Sequence, residues 1–221
     1  MSPSFAPTES RAVRVATARV RLDGDLTIPP ASKAVVLFAH GSGSSRFSSR
    51  NKRVAALLQQ CGFATLLMDL LTPDEEERDR ESGDLRFDIG LLAERLVGAV
   101  EWLGRDPLTA KLPVALFGAS TGAGAALVAA AELPERISAV VSRGGRPDLA
   151  SSALARVRAP TLLIVGGADL PVLEVNRAAL AQIAAPARLE VIPRATHLFE
   201  EPGALDEVAR HAGNWIEQYA G

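Results

Sequence analysis

Residues 118–122 read Gly-Ala-Ser-Thr-Gly, a G-x-S-x-G that makes Ser120 a candidate nucleophile. A serine hydroxyl attacks a carbonyl only when a base within hydrogen-bond reach takes its proton. The chain has three histidines. His211 falls in a C-terminal helical pattern and reads as a surface residue. His40 ends an apolar run and is followed by Gly-Ser-Gly, so it reads as a residue that positions a loop. His197 lies in the loop Arg-Ala-Thr-His-Leu-Phe-Glu after the apolar run RLEVIP and is the best placed base. A carboxylate must then fix the imidazole tautomer. Asp169, in GGADLP, is favoured for this; Asp148, beside Pro147, is the rival and also reads as the N-cap of a following helix.

The plainer reading of Ser120 is an ordinary strand-to-helix turn with a serine cap. Its flanks argue otherwise. PVALF precedes it directly and the small-residue pattern AGAALVAAA follows, which is the strand–turn–helix that an exposed nucleophile requires. Strand-like runs recur at 34–39, 64–70, 113–118, 137–142, 160–167 and 188–193. Between them, helical periodicity is found at 50–60, 88–103, 122–132, 171–184 and 203–219. Strands apolar on both faces and alternating with helices imply an α/β fold, a mostly parallel sheet with helices on both faces. Ser120, Asp169 and His197 each follow a strand, so the same edge of the sheet would carry all three. Residues 12–28 alternate around Asp23-Gly24 and predict short antiparallel strands turning at that pair. Residues 1–10 read as a loose tail, leaving 11–221 as a single domain. The charged stretch 71–87 reads as a solvated loop or a short frayed helix. Only Arg143 to Pro147 separate a strand from the next helix, so no cap domain fits there and the site is open, roofed at most by 71–87.

Acyl transfer builds negative charge on the carbonyl oxygen, and two backbone N–H donors must meet it. Thr121, just after the nucleophile, supplies one. The loop His-Gly-Ser-Gly-Ser-Ser at 40–45 supplies the other, from Ser42. A phosphate-binding loop is the competing reading of GSGSS, but no Lys-Ser/Thr follows it. Arg46 and Arg50 follow this loop, while Arg143 and Arg146 follow the run ISAVVS. All four are candidates for holding a carboxylate or phosphate of the substrate.

The formal charge of −2 over 221 residues gives no basic excess, so nucleic acid is not an expected partner. The opening MSPSFAPTES lacks the apolar core of a signal peptide, and no apolar run reaches bilayer length. The expectation is a cytoplasmic chain with no membrane partner. Its one cysteine, Cys61, forms no internal disulfide and reads as a buried small hydrophobe.

HGSGSSRFSSRN, MDLLTPDEEE, GASTGA, GGAD and THLFEEPG together resemble the small bacterial α/β-hydrolases related to dienelactone hydrolase. More closely, they resemble the hydrolase module found alone or fused to phosphoribosyltransferase domains. The resemblance covers roughly residues 12–220 and implies the α/β-hydrolase fold without a cap domain. Dienelactone hydrolases proper carry a cysteine nucleophile where this elbow carries Ser120, so generic carboxylic-ester chemistry is the safer expectation. The reading is then a serine hydrolase cleaving an ester, thioester or lactone of a small-molecule acyl substrate, with neither metal nor organic cofactor. Two alternatives stay open: an acyltransferase using the same triad, and a non-catalytic homologue that binds ligands.

Overall fold

The computed structural model describes residues 7–220. Eight strands form one sheet: β1 (Glu9–Ala16), β2 (Arg21–Ile28), β3 (Val35–Ala39), β4 (Ala64–Met68), β5 (Val114–Ala119), β6 (Ile137–Arg143), β7 (Thr161–Gly166) and β8 (Ala187–Ile192). Their order is β1-β2-β4-β3-β5-β6-β7-β8. β1 and β2 pair antiparallel with their neighbours, and every later pairing is parallel. Six helices accompany them: α1 (Ser49–Gln60), α2 (Pro73–Ser82), α3 (Ile89–Leu103), α4 (Thr121–Glu132), α5 (Leu170–Leu180) and α6 (Ala204–Ala220).

β3, β4, β5 and β7 are buried at every position, because side chains on both faces of these strands meet helices. On one face Leu37, Leu66 and Leu116 pack with Leu96 and Val100 of α3 and the alanines of α4. On the other, Phe38, Phe117 and Ile164 pack with Leu58 of α1 and with Val208 and Ile216 of α6. No helix among the described residues is long and apolar enough to cross a membrane.

Three expectations change. The antiparallel hairpin is there, but Asp23 and Gly24 lie inside β2, opposite Arg14 and Val13. The chain reverses at 17–20 instead, where Thr17 N–H donates to Val20 O at 2.9 Å. β2 is also an inner strand, and Gly24 lies against Leu66 of β4, so its bare backbone serves packing rather than a turn. Second, β1 begins at Glu9, so the tail expected at 1–10 overlaps a strand; its first six residues lie outside the described part.

Third, 71–87 is well-formed structure. Thr72 caps α2 by accepting from Glu75 N–H, Glu75 accepts from Thr72 N–H in return, and Pro73 opens the first turn. Asp79 is buried and receives Leu85 N–H, Arg86 N–H and the Arg86 guanidinium, and a 3₁₀ turn (Leu85–Phe87) follows. Arg95 of α3, itself buried, reaches Glu75 at 2.9 Å. Glu75, Asp79 and Arg86 are spent on these internal pairs, while the other charged side chains of the segment are exposed.

Candidate active site

β5 ends at Ala119 and α4 starts at Thr121, leaving Ser120 alone to make the turn. It does so at φ 52°, ψ −123°, a region that L-residues avoid. The two glycines make this possible. A Cβ on Gly118 would fall within the backbone of Ala123, and one on Gly122 would overlap the carbonyls of Ala39 and His40. With hydrogens there instead, β5, α4 and the end of β3 close around the serine. Ser151, in a second 3₁₀ segment (Pro147–Arg156), adopts nearly the same backbone at φ 48°, ψ −130°. It is not among the residues lining the cavity described below.

Asp169 follows β7 and His197 follows β8, the next strand along the sheet. The two loops are stitched together: Gly167 N–H donates to Ile192 O at 2.8 Å and Ala168 N–H to Ala195 O at 2.9 Å. His197 Nδ1 then lies 2.7 Å from Asp169 Oδ2. The aspartate side chain is well buried and the imidazole is 40% exposed. A cavity of about 240 Å³ is lined by Ser120, His197, Ser42, Asn51, Arg50 and Arg143. Asp148, the rival acid, is exposed and pairs with Arg146 at 2.6 Å; that guanidinium holds its carboxyl below the ordinary carboxylate range. It caps no helix, since the 3₁₀ segment opens from Arg146.

His40 pins the loop at 40–45. Its Nε2 accepts Leu70 N–H at 3.1 Å, so the proton sits on Nδ1, 2.9 Å from Gly41 O. Burial lowers its pKa, which the Gly41 carbonyl only partly offsets, and the ring stays neutral. Thr121 N–H, at the first turn of α4, has no acceptor within its own helix. Ser42 is brought beside it, but not as a free donor: its N–H is taken by Thr121 Oγ1 at 2.8 Å. Sequence reasoning missed this second use of Thr121, for which the hydroxyl after the nucleophile was the available sign.

The four arginines separate. Arg46 is spent on Asp69 and Asp25, and Arg146 on Asp148. Arg50 and Arg143 do border the cavity. Arg143 is 7% exposed, and burial together with the nearby Arg50 charge lowers its pKa to about 10, so it remains a cation at neutral pH. Cys61, expected to be buried, is exposed at the end of α1. A second cavity, of about 260 Å³, lies on the far side of the 40–45 loop between Leu70, Leu71, Leu92 and the α2 residues Glu76 and Arg80.

Known proteins share this fold. Residues 34–159 match the family described as alpha/beta hydrolase fold. A crystal structure of a dienelactone hydrolase from Anabaena variabilis is 61% identical, with a TM-score of 0.95, over 98% of this chain and 100% of that one. The chain belongs to the α/β-hydrolase family. Within it, this α/β hydrolase is dienelactone-hydrolase-like, as the first of these structures indicates. Est1E from Butyrivibrio proteoclasticus, 16% identical with a TM-score of 0.78 over 94% of this chain and 98% of its own, shares the fold alone. Proteins from two strains of Mycobacterium tuberculosis, named provisionally as phosphoribosyl transferases, are 57% identical over 210 residues. That match takes in 95% of this chain and 46% of theirs, so the chain spans about half the length of these curated relatives.

Proposed function

We propose that this α/β hydrolase cleaves a carboxylic ester or related acyl bond through an acyl-enzyme on Ser120. The observation that carries the reading is the 2.7 Å His197–Asp169 contact at the wall of a cavity that a strained Ser120 also lines. With its Nδ1–H given to the carboxylate, His197 presents the Nε2 lone pair as the base. Ser120 Oγ attacks the acyl carbon while its proton moves to Nε2, and Asp169 stabilises the imidazolium. The oxyanion takes Thr121 N–H, and Ser42 N–H is released to it as the Thr121 hydroxyl turns away. The C–O bond to the leaving group breaks as His197 returns the proton to the departing alkoxide. Water, deprotonated by the same nitrogen, then attacks the acyl-enzyme and frees the acid and Ser120.

The transferase name of the mycobacterial relatives attaches to proteins of about twice this length, and the part of this chain that they match includes the region that fits the alpha/beta hydrolase fold. A fluorophosphonate should label Ser120, read by peptide mass spectrometry. Ser120→Ala should lower kcat/KM for a simple ester by about 10³-fold or more with an unchanged melting curve. Labelling at another serine would remove Ser120 from this role.

A further inference from the structure

The second cavity, of about 260 Å³, differs in character from the one that Ser120 lines. Its floor is apolar: Leu70, just after β4, and Leu92 of α3 are buried, and Leu71 is half-buried beside them. The acidic groups along it are already held, Asp69 by Arg46 and Asp79 by Arg86. His40 is neutral, and Glu76 and Arg80 are exposed, so they border the mouth rather than the floor. Leucines that face open space on one side forfeit the contacts that close packing gives the rest of the core. Such a recess suits an uncharged, apolar ligand.

The two cavities meet at the 40–45 loop, since Gly41, Ser42 and Ser44 line both. Gly43 lies between them at φ 68°, and a Cβ there would meet no atom within 4 Å. The loop is therefore a low sill that a flexible chain can cross. Thr121, whose N–H serves the oxyanion in the mechanism above, also borders the second cavity. A carbonyl at Ser120 thus has two directions for its substituents, the first cavity and the recess across the sill. His197 decides between them. It must return its proton to the leaving oxygen, and it lines the first cavity but not the second, so the alcohol stays with it. The recess is left to the acyl chain. We propose that the second cavity seats the acyl group, and that the substrates are esters of medium-length, uncharged acyl chains. At about 30 Å³ for each water-sized group, the space takes about eight carbon atoms, and Leu71 sets its depth. The proposal rests on Ser120 as the nucleophile.

Ethyl hexanoate and hexyl acetate contain the same atoms and differ in which side of the carbonyl bears the long chain. The parent enzyme should prefer ethyl hexanoate by roughly 10-fold or more in kcat/KM, because each methylene removed from water is worth about 3- to 4-fold. Leu71→Trp, filling the recess from a half-buried position, should bring that ratio towards unity. Leu71→Ala should move the best ethyl ester towards longer acyl chains, and it decides the matter should Leu71→Trp fail to fold. Equal rates in the parent, a preference for hexyl acetate, or a chain-length preference that neither substitution alters overturns the proposal. Calorimetric titration of Ser120→Ala with ethyl hexanoate reads binding without turnover. Binding that is lost when Leu71→Trp is added supports the seat; no binding overturns it. If the parent hydrolyses neither ester while Ser120→Ala binds ethyl hexanoate and Leu71→Trp blocks it, the seat stands and the role given to Ser120 fails.

Discussion

Two neighbouring regions are held in place by opposite means. The loops carrying Ser120, Asp169 and His197 depend on atoms that are absent: Gly118 and Gly122 let β5, α4 and β3 approach closer than any Cβ allows. The segment 71–87, which follows β4, depends on charges that are present: Thr72 with Glu75, Asp79 with Arg86, and Glu75 with Arg95. Close packing has a steep repulsive wall, whereas a capped and paired helix gives way gradually. The first region should therefore fail abruptly on small changes and the second by degrees.

The largest effect sits in the first region. Asp169→Asn keeps the volume but loses hold of the His197 tautomer, and kcat should fall by about 10⁴-fold. Asp148→Asn, whose carboxylate holds only Arg146, should stay within about 2-fold by the same ester assay, because exposed pairs contribute little. Comparable losses in both would dissolve the distinction between them. Next is Gly122→Ala, one methyl group driven into the carbonyls of Ala39 and His40; a loss of about 1–3 kcal/mol or more is expected in a urea titration. An unchanged midpoint would mean that the elbow yields more readily than its packing implies.

A smaller effect tests the loop between the two regions. The folded pKa of His40 lies below its ordinary value of 6.5, so the unfolded chain binds the extra proton first. Its contribution to stability is full above pH 6.5 and is lost as the pH falls towards the folded value. Melting temperature should decline over that range, and His40→Gln should flatten the decline. The smallest effect belongs to the charged segment. Thr72→Ala removes a single cap and should cost about 1 kcal/mol, seen as faster amide exchange over 73–82 with ester hydrolysis retained. Collapse of the whole fold on that substitution would erase the contrast drawn here.

The same contrast explains what could be read from the sequence. Ser120, Asp169 and His197 stood out because a strand, a tight turn and a helix each leave a strong local mark, and three such marks fell on one sheet edge in a consistent order. The burial of β3, β5 and β7 was legible in their unbroken apolar runs. The charged segment was legible as a short, largely solvated helix, but its capping and its pairs at Glu75 and Asp79 were not, because charge density alone does not say which partners lie in the protein. Asp23-Gly24 misled for a related reason: the pair permits a turn without demanding one, and β2 needed a small residue against Leu66. The arginines could be placed near the site but not sorted, since only the fold brings Asp69 to Arg46 and leaves Arg143 without a carboxylate.

Ser151 shares the backbone conformation of Ser120 yet lies outside the cavity. Each such residue holds roughly 1–3 kcal/mol of conformational strain in the folded chain. In the proposed mechanism that energy at Ser120 holds the attacking hydroxyl in place; at Ser151 no comparable return is visible, so its strain is stability left unclaimed. A thermostabilising programme would start there, with Ser151→Gly, and would leave Ser120 strained. The molecule thus carries its own matched pair for measuring how much robustness an enzyme forgoes to keep one side chain poised.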